Sequence, residues 1–200
     1  MRITRAQEFQ DIVNSRLRSE ALQSNAFISL QNVTKDFDLG DYLIRATDGI
    51  SINIAQYEYV AIIGSSGAGK STLLNILGGL EKITEGKVIL SFIDISPMEE
   101  ETLATFRIFN VGFIFQNYNL ISSLTALENI MFPLQLCGAG FGVSEQRAKL
   151  LLKQIGLEER ANHLPFQLSA GEQQRVAIAR ALANDPDRKS TRLNSSHGKL

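Results

Sequence analysis

Two clusters of residues in this 200-residue chain could do chemistry. The first is Gly64, Ser65, Ser66, Gly67, Ala68, Gly69, Lys70 and Ser71, which satisfies G-x-x-x-x-G-K-[ST] and runs on into Thr72. Small residues let the backbone wrap an anion so closely that successive N–H groups donate to it, and a helix that follows adds the partial positive charge of its amino end. In that arrangement Lys70 reaches the β- and γ-phosphates of a nucleotide and the Ser71 hydroxyl ligates Mg²⁺. The second cluster is LSAGEQQRVAIARAL, from Leu168 to Leu182. By itself it reads as a helix with Ser169 as N-cap and Glu172 closing a capping box. That reading leaves Gly171 unexplained, since glycine is costly in a first helical turn unless something must approach the backbone.

These residues need elements to position them. YVAIIG, Tyr59 to Gly64, is a continuous apolar run that predicts a central strand covered on both faces. STLLNILGGL predicts a helix ending in glycines, GKVIL another strand, and VGFIF (Val111 to Phe115) one more buried strand. FISLQNV (Phe27 to Val33) and ISINI (Ile50 to Ile54) alternate like half-buried strands, with the polar DLGD turn at Asp38 to Asp41, and predict an antiparallel edge subdomain. From 117 to 167 the pattern is helical, TALENIMFPLQL and then SEQRAKLLLKQIGL with GAGFG between, which predicts an inserted helical lobe. Residues 5–22 place Phe9, Ile12, Val13 and Leu17 at helical spacing, so 1–26 reads as a helical extension, either loosely packed or partner-binding.

Composition excludes several classes. With 44% hydrophobic and 20% charged residues the chain is an ordinary globular one, long enough for one domain with a core. Residues 187–200 hold one acid and four bases, so of the total charge of −1 the body, 1–186, carries −4. A mildly acidic body makes no electrostatic case for nucleic acid. Cys137 is the sole cysteine, so no intrachain disulfide can form. No apolar run approaches the roughly 18 residues of a membrane span, and any membrane role is expected to be peripheral.

Taken together, the two motifs resemble the nucleotide-binding domain of ABC transporters, whose signature has the form LSGGQ followed by QRVAIARAL. The resemblance covers residues 27–186 and departs at Ala170, where glycine is usual, and at Glu172, where glutamine is usual. It implies an α/β fold of the P-loop NTPase type, a RecA-like core with an antiparallel β subdomain and an inserted α-helical subdomain, using ATP and Mg²⁺. It also implies that Ser169 to Glu172 meet the γ-phosphate held by a second, identical subunit. Gln116 in FIFQN matches the Q-loop glutamine, which touches Mg²⁺ and links core to lobe. Phe37 in TKDF matches the aromatic that stacks on adenine, with Tyr42 as the rival ring. His163 reads as structural. The wording of TDGISINI, GGLEKITEGKV and LANDP is most similar to the subgroup serving lipoprotein release and macrolide export, which implies integral membrane permease partners and a place on the cytoplasmic face of the membrane.

In that family LANDP precedes an apolar strand ending in Asp-Glu, which supports Mg²⁺ and polarises the attacking water. Here DRKSTRLNSSHGKL follows, polar and without an acid after Asp187. DRKSTRLNSSH corresponds codon by codon to a translated sequencing-library adapter. Residues 187–200 are therefore expected to be a non-native tail on a core cut short before the Asp-Glu strand. Such a chain is expected to hold nucleotide without hydrolysing it and to be prone to aggregation. A non-transport ABC ATPase and an ATP-binding regulatory subunit stand as the alternatives.

Overall fold

The computed structural model describes residues 26–184, in two compact units that divide between Thr105 and Phe106. The expected leader helix over 5–22 and the segment 187–200 lie outside the described residues. In the first unit, strand β1 (Ile28–Asp38) and strand β2 (Leu43–Ile54) pair antiparallel, as their alternation predicts. The turn between them forms by the expected chemistry: Gly40 takes a left-handed φ of 84° and its N–H donates to Asp38 Oδ1 at 2.8 Å. On its other edge β1 pairs antiparallel with β3 (Glu85–Leu90), which pairs with β4 (Ile93–Asp94), giving the order β2-β1-β3-β4. Leu30, Val33, Val88 and Leu90 are buried on this sheet, with Leu73 and Ile76 of helix α1 (Lys70–Leu77) also buried. Helix α1 stops where the glycines predict, with Gly79 at φ 67° donating back to Ile76 O at 2.9 Å.

Helix α2 (Glu100–Asn110) was not foreseen from the sequence, although Leu103 and Phe106, three apart, are both buried. In the second unit, α3 (Ala126–Leu136), α4 (Phe141–Gln154) and α5 (Ala170–Leu182) share one core containing Ile130, Leu151, Leu152, Val176 and Ala179. This is the expected helical lobe, with α5 packed into it. Its entry is pinned by buried Asn129. The side chain accepts from Ile121 N at 2.8 Å and donates to the carbonyls of Ile121, Leu124 and Thr125. Every polar atom of that amide is thus satisfied, as burial requires.

Two expectations are corrected. Tyr59–Gly64 forms no strand, with Tyr59 fully exposed and Ile63 90% exposed, and Val111–Phe115 forms none either. A strand apolar on both faces owes its place to hydrogen-bonded neighbours and to layers above and below it, and no strand among the described residues pairs with either segment. Alternation survives locally in the second: Phe113 and Phe115 stack with ring centroids 5.6 Å apart, as residues two apart on extended backbone can. The antiparallel subdomain and the helical lobe are formed; the predicted buried core strands are not among the described residues.

Leu152 is fully buried in the lobe, whereas its neighbour Leu150 is half exposed. Leu152→Ala is expected to cost about 2–5 kcal/mol in urea melts and Leu150→Ala no more than about 0.5.

Candidate functional site

The phosphate loop turns tightly ahead of α1, with Ala68 N donating to Ser65 O at 3.3 Å and Gly67 and Gly69 both left-handed, φ 79° and 78°. Gly69 is glycine for two reasons. Its φ suits no other residue well, and a Cβ there would lie 2.2 Å from the carbonyl oxygen of Ala46, so the loop rests directly on the β2 backbone. Lys70 Nζ reaches back over the loop and donates to Gly64 O at 3.0 Å and to Ser65 O. The ammonium is therefore held at the loop mouth against neutral carbonyls, partners that an anionic phosphate oxygen outbids. Helix α1 has no side-chain cap and no acid in its first turn, and Ser71 is exposed beside it. Free amides, an ammonium and a hydroxyl converge, which is the donor set a nucleotide phosphate with Mg²⁺ requires. Phe37 is half-buried on β1, and Lys35 Nζ lies 4.8 Å from its ring centroid; Tyr42 is exposed at the hairpin end. One face of Phe37 is thus already covered by a cation.

The other predicted residues belong to the second unit. Gln116 is exposed at the end of the Val111–Phe115 segment. The chain then turns through Tyr118 and Asn119, which are left-handed at φ 60° and 46°. Arg180 of α5 donates from Nη2 to Tyr118 O at 2.8 Å and from Nη1 to Asn119 O. Arg180 was missed from the sequence, though an arginine inside the apolar run VAIARAL was the available signal. Partial burial lowers its proton affinity, and a guanidinium stays charged regardless; Arg180 shares the lining of a surface hollow with Phe113, Phe115, Phe132 and Leu136. Behind the segment, a Cβ on Gly112 would meet Ala181 O at 2.5 Å, so α5 and Val111–Phe115 touch backbone to backbone.

At the amino end of α5 the capping box predicted for Ser169 and Glu172 is present. Ser169 N and Ser169 Oγ both donate to Glu172 Oε2 at 2.8 Å, and Glu172 N donates back to Ser169 Oγ at 3.4 Å. Glu172 in place of glutamine thus keeps the cap, as either side chain can. The Ser169 backbone N–H, then its hydroxyl, hold the Glu172 carboxyl below the usual carboxylate range, with Arg160 and Arg175 adding to the effect. Arg160 Nε lies 3.5 Å from Glu172 Oε1 and its Nη1 3.2 Å from His163 Nε2. His163 also accepts from Ala126 N at 2.9 Å through its carbonyl, in keeping with a structural role. Ser169, Ala170 and Gly171 are exposed, and a Cβ on Gly171 would meet nothing nearer than Arg175 Nη1 at 3.9 Å. Nothing inside the described chain requires glycine at 171.

A family model described as ABC transporter matches residues 47–188. An uncharacterized ABC transporter ATP-binding protein of Thermotoga maritima is 50% identical over 159 residues, 80% of this chain and 68% of the relative. The macrolide export ATP-binding/permease protein MacB of Hyphomonas neptunium is 45% identical over 160 residues, 80% of this chain but 25% of its own length. Among solved structures, the dimeric post-hydrolysis state of the ATP-binding cassette MJ0796, bound to ADP and Pi, matches with a TM-score of 0.74 and 46% identity. That match covers 80% of this chain and 70% of the cassette; MJ0796 comes from Methanocaldococcus jannaschii.

Gly69→Ala is expected to destabilise the first unit by more than Gly67→Ala, whose new methyl meets open space and adds only left-handed strain of about 1–2 kcal/mol; urea melts compare them. Because the folded Glu172 carboxyl is depressed, the cap's contribution is whole above the ordinary carboxyl range, near pH 4.3, and is lost as pH falls through the depressed value. The protection of the Ser169 amide against exchange, taken relative to its intrinsic rate at each pH, should therefore fall on acidification. Glu172→Gln should abolish that acid dependence while keeping the protection.

Proposed function

The chain belongs to the ABC transporter family as an ATP-binding subunit, and we propose that it works as half of a head-to-tail pair whose two nucleotides are each held by one copy and capped by the other. In this pair the loop from Gly64 to Thr72 grips the triphosphate, Phe37 lies against the adenine, and Ser169 to Glu172 of the second copy close over the γ-phosphate. The observation that carries the reading is Gly171: exposed, in a first helical turn, and required by no contact within the described chain, it leaves the backbone open to an approaching partner. The dimeric cassette reported above supports a two-fold pair.

Mg²⁺ would be held by the Ser71 hydroxyl beside the phosphate loop, the family resemblance assigning Gln116 a share in it, and when bound it offsets charge on the phosphates. Residues of the chain do the rest. Lys70 exchanges its carbonyl partners for phosphate oxygens, and Ser169 donates at the closed interface. Closure on ATP and reopening afterwards would move the lobe against integral membrane permease subunits, a two-state element biased by ligand. The combined ATP-binding and permease name of the MacB relative supports a permease partner. No helix among the described residues is long and apolar enough to cross a membrane, and a peripheral seat at the cytoplasmic face fits such an arrangement.

Intact members of the family hydrolyse ATP.

A fluorescent ATP analogue should bind the full chain, and Lys70→Ala should weaken that binding at least about tenfold. Light scattering should show ATP-driven pairing that Ser169→Ala diminishes. A chain that binds ATP yet stays monomeric at every concentration would remove the head-to-tail reading.

A further inference from the structure

In the first unit the ladder between β1 and β2 slips beside the phosphate loop. From Asp36↔Arg45 to Lys35↔Thr47 the pairing advances one residue on β1 and two on β2, which leaves Ala46 as the extra residue of a β-bulge. Its carbonyl oxygen is the atom that a Cβ on Gly69 would strike. Gly69 in turn accepts from Leu73 N at 2.9 Å through its own carbonyl, so the residue that meets the bulge also starts α1. A shift of Ala46 is therefore a shift of the loop amides.

Arg45 straddles the bulge. Its Nε and Nη2 donate to Asp36 Oδ1 and Oδ2 at 2.9 and 3.1 Å, a fork across to β1, and its Nη1 donates to Asp48 Oδ1 at 3.2 Å on the far side of Ala46 and Thr47. Asp36 is itself fixed, its N–H donating to Thr84 Oγ1 at 2.9 Å just ahead of β3. The fork keeps the Asp36 carboxyl below the usual carboxylate range. Bulging has a cost, since the Thr47 hydroxyl ends buried with no hydrogen-bond partner among the described residues. Arg45 is half exposed, and such a pair contributes little to stability; what a planar fork supplies is direction.

We propose that Arg45 is a positioning residue for the phosphate loop, stapling the Ala46 bulge so that its carbonyl forms the stop against which Gly69 and the loop amides are set. The inference rests on Gly64 to Thr72 gripping phosphate, and on neither the pairing nor any contact with a nucleotide base. Without the staple the bulge relaxes toward a regular ladder, carries Ala46 O away from Gly69 and leaves the loop free to open. Phosphate then has to order the loop as it binds, and affinity falls by that cost.

The test measures binding of inorganic tripolyphosphate, which has no base, by calorimetry on the full chain, Arg45→Gln and Asp36→Asn at one salt concentration. Each substitution should weaken binding about tenfold while the urea midpoint barely moves, and the two together should lose little more than either alone. Charge by itself acts with opposite sign in the two variants: through the field alone, losing the arginine weakens anion binding and losing the aspartate strengthens it. Asp36→Asn binding as well as the unaltered chain or better, or Arg45→Gln within about twofold of it, overturns the inference. Losses that vanish once binding is scaled to the folded fraction overturn it as well. If the unaltered chain binds tripolyphosphate no better than Lys70→Ala does, the phosphate-loop reading falls and takes the inference with it. Should the variants not fold, amide exchange on the unaltered chain decides: tripolyphosphate should slow exchange at 46–49 together with 66–71, and slowing confined to 66–71 sinks the proposal.

Discussion

Every α-helix begins with backbone N–H groups that have no partner within the helix, and what this chain does with them organises its chemistry. At α3 and α5 a threonine and a serine accept from the helix, and a glutamate three residues on accepts from the cap residue in return. At α1 no side chain caps the helix and no acid stands in the first turn. The amides there are left facing a glycine loop and an ammonium. Helix α4 also starts uncapped, at Gly140, but no lysine loop wraps in front of it. The difference between a closed helix start and an anion site is thus a matter of which acceptors the chain withholds.

Glycine serves this arrangement in two opposite ways. Gly69 and Gly112 are places where a Cβ would strike backbone of the same chain, so they allow one element to sit directly on another. At Gly171 a Cβ would meet only the Arg175 side chain, at ordinary contact distance, so no contact among the described residues requires its small size. The first kind builds the scaffold under the site. The second kind leaves bare backbone open to an approaching partner.

Two arginines divide the remaining labour, Arg160 in the turn ahead of α5 and Arg180 near its carboxyl end. Arg160 stands at the exposed capping box, where a charge pair in water contributes little, and steadies geometry that the hydrogen bonds of Ser169 and Glu172 already define. Arg180, less accessible to water, holds a left-handed loop through two carbonyls. Exposure, more than residue type, decides which of the two holds backbone firmly in place.

Features made by neighbours in sequence could be read directly from it. The phosphate loop, the Asp38–Asp41 turn, the glycine stop of α1 and the Ser169–Glu172 box each depend on contacts a few residues apart, so residue type and spacing suffice. The helical lobe was legible too, because its apolar positions repeat with the helix period. Strands are different. Tyr59–Gly64 and Val111–Phe115 have the composition of core strands, yet a strand exists only through partners distant in the chain, and none among the described residues pairs with them. Arg180 was hidden for the same reason: its partners lie 61 and 62 residues away, and only the packed lobe puts two left-handed carbonyls within reach of its fork.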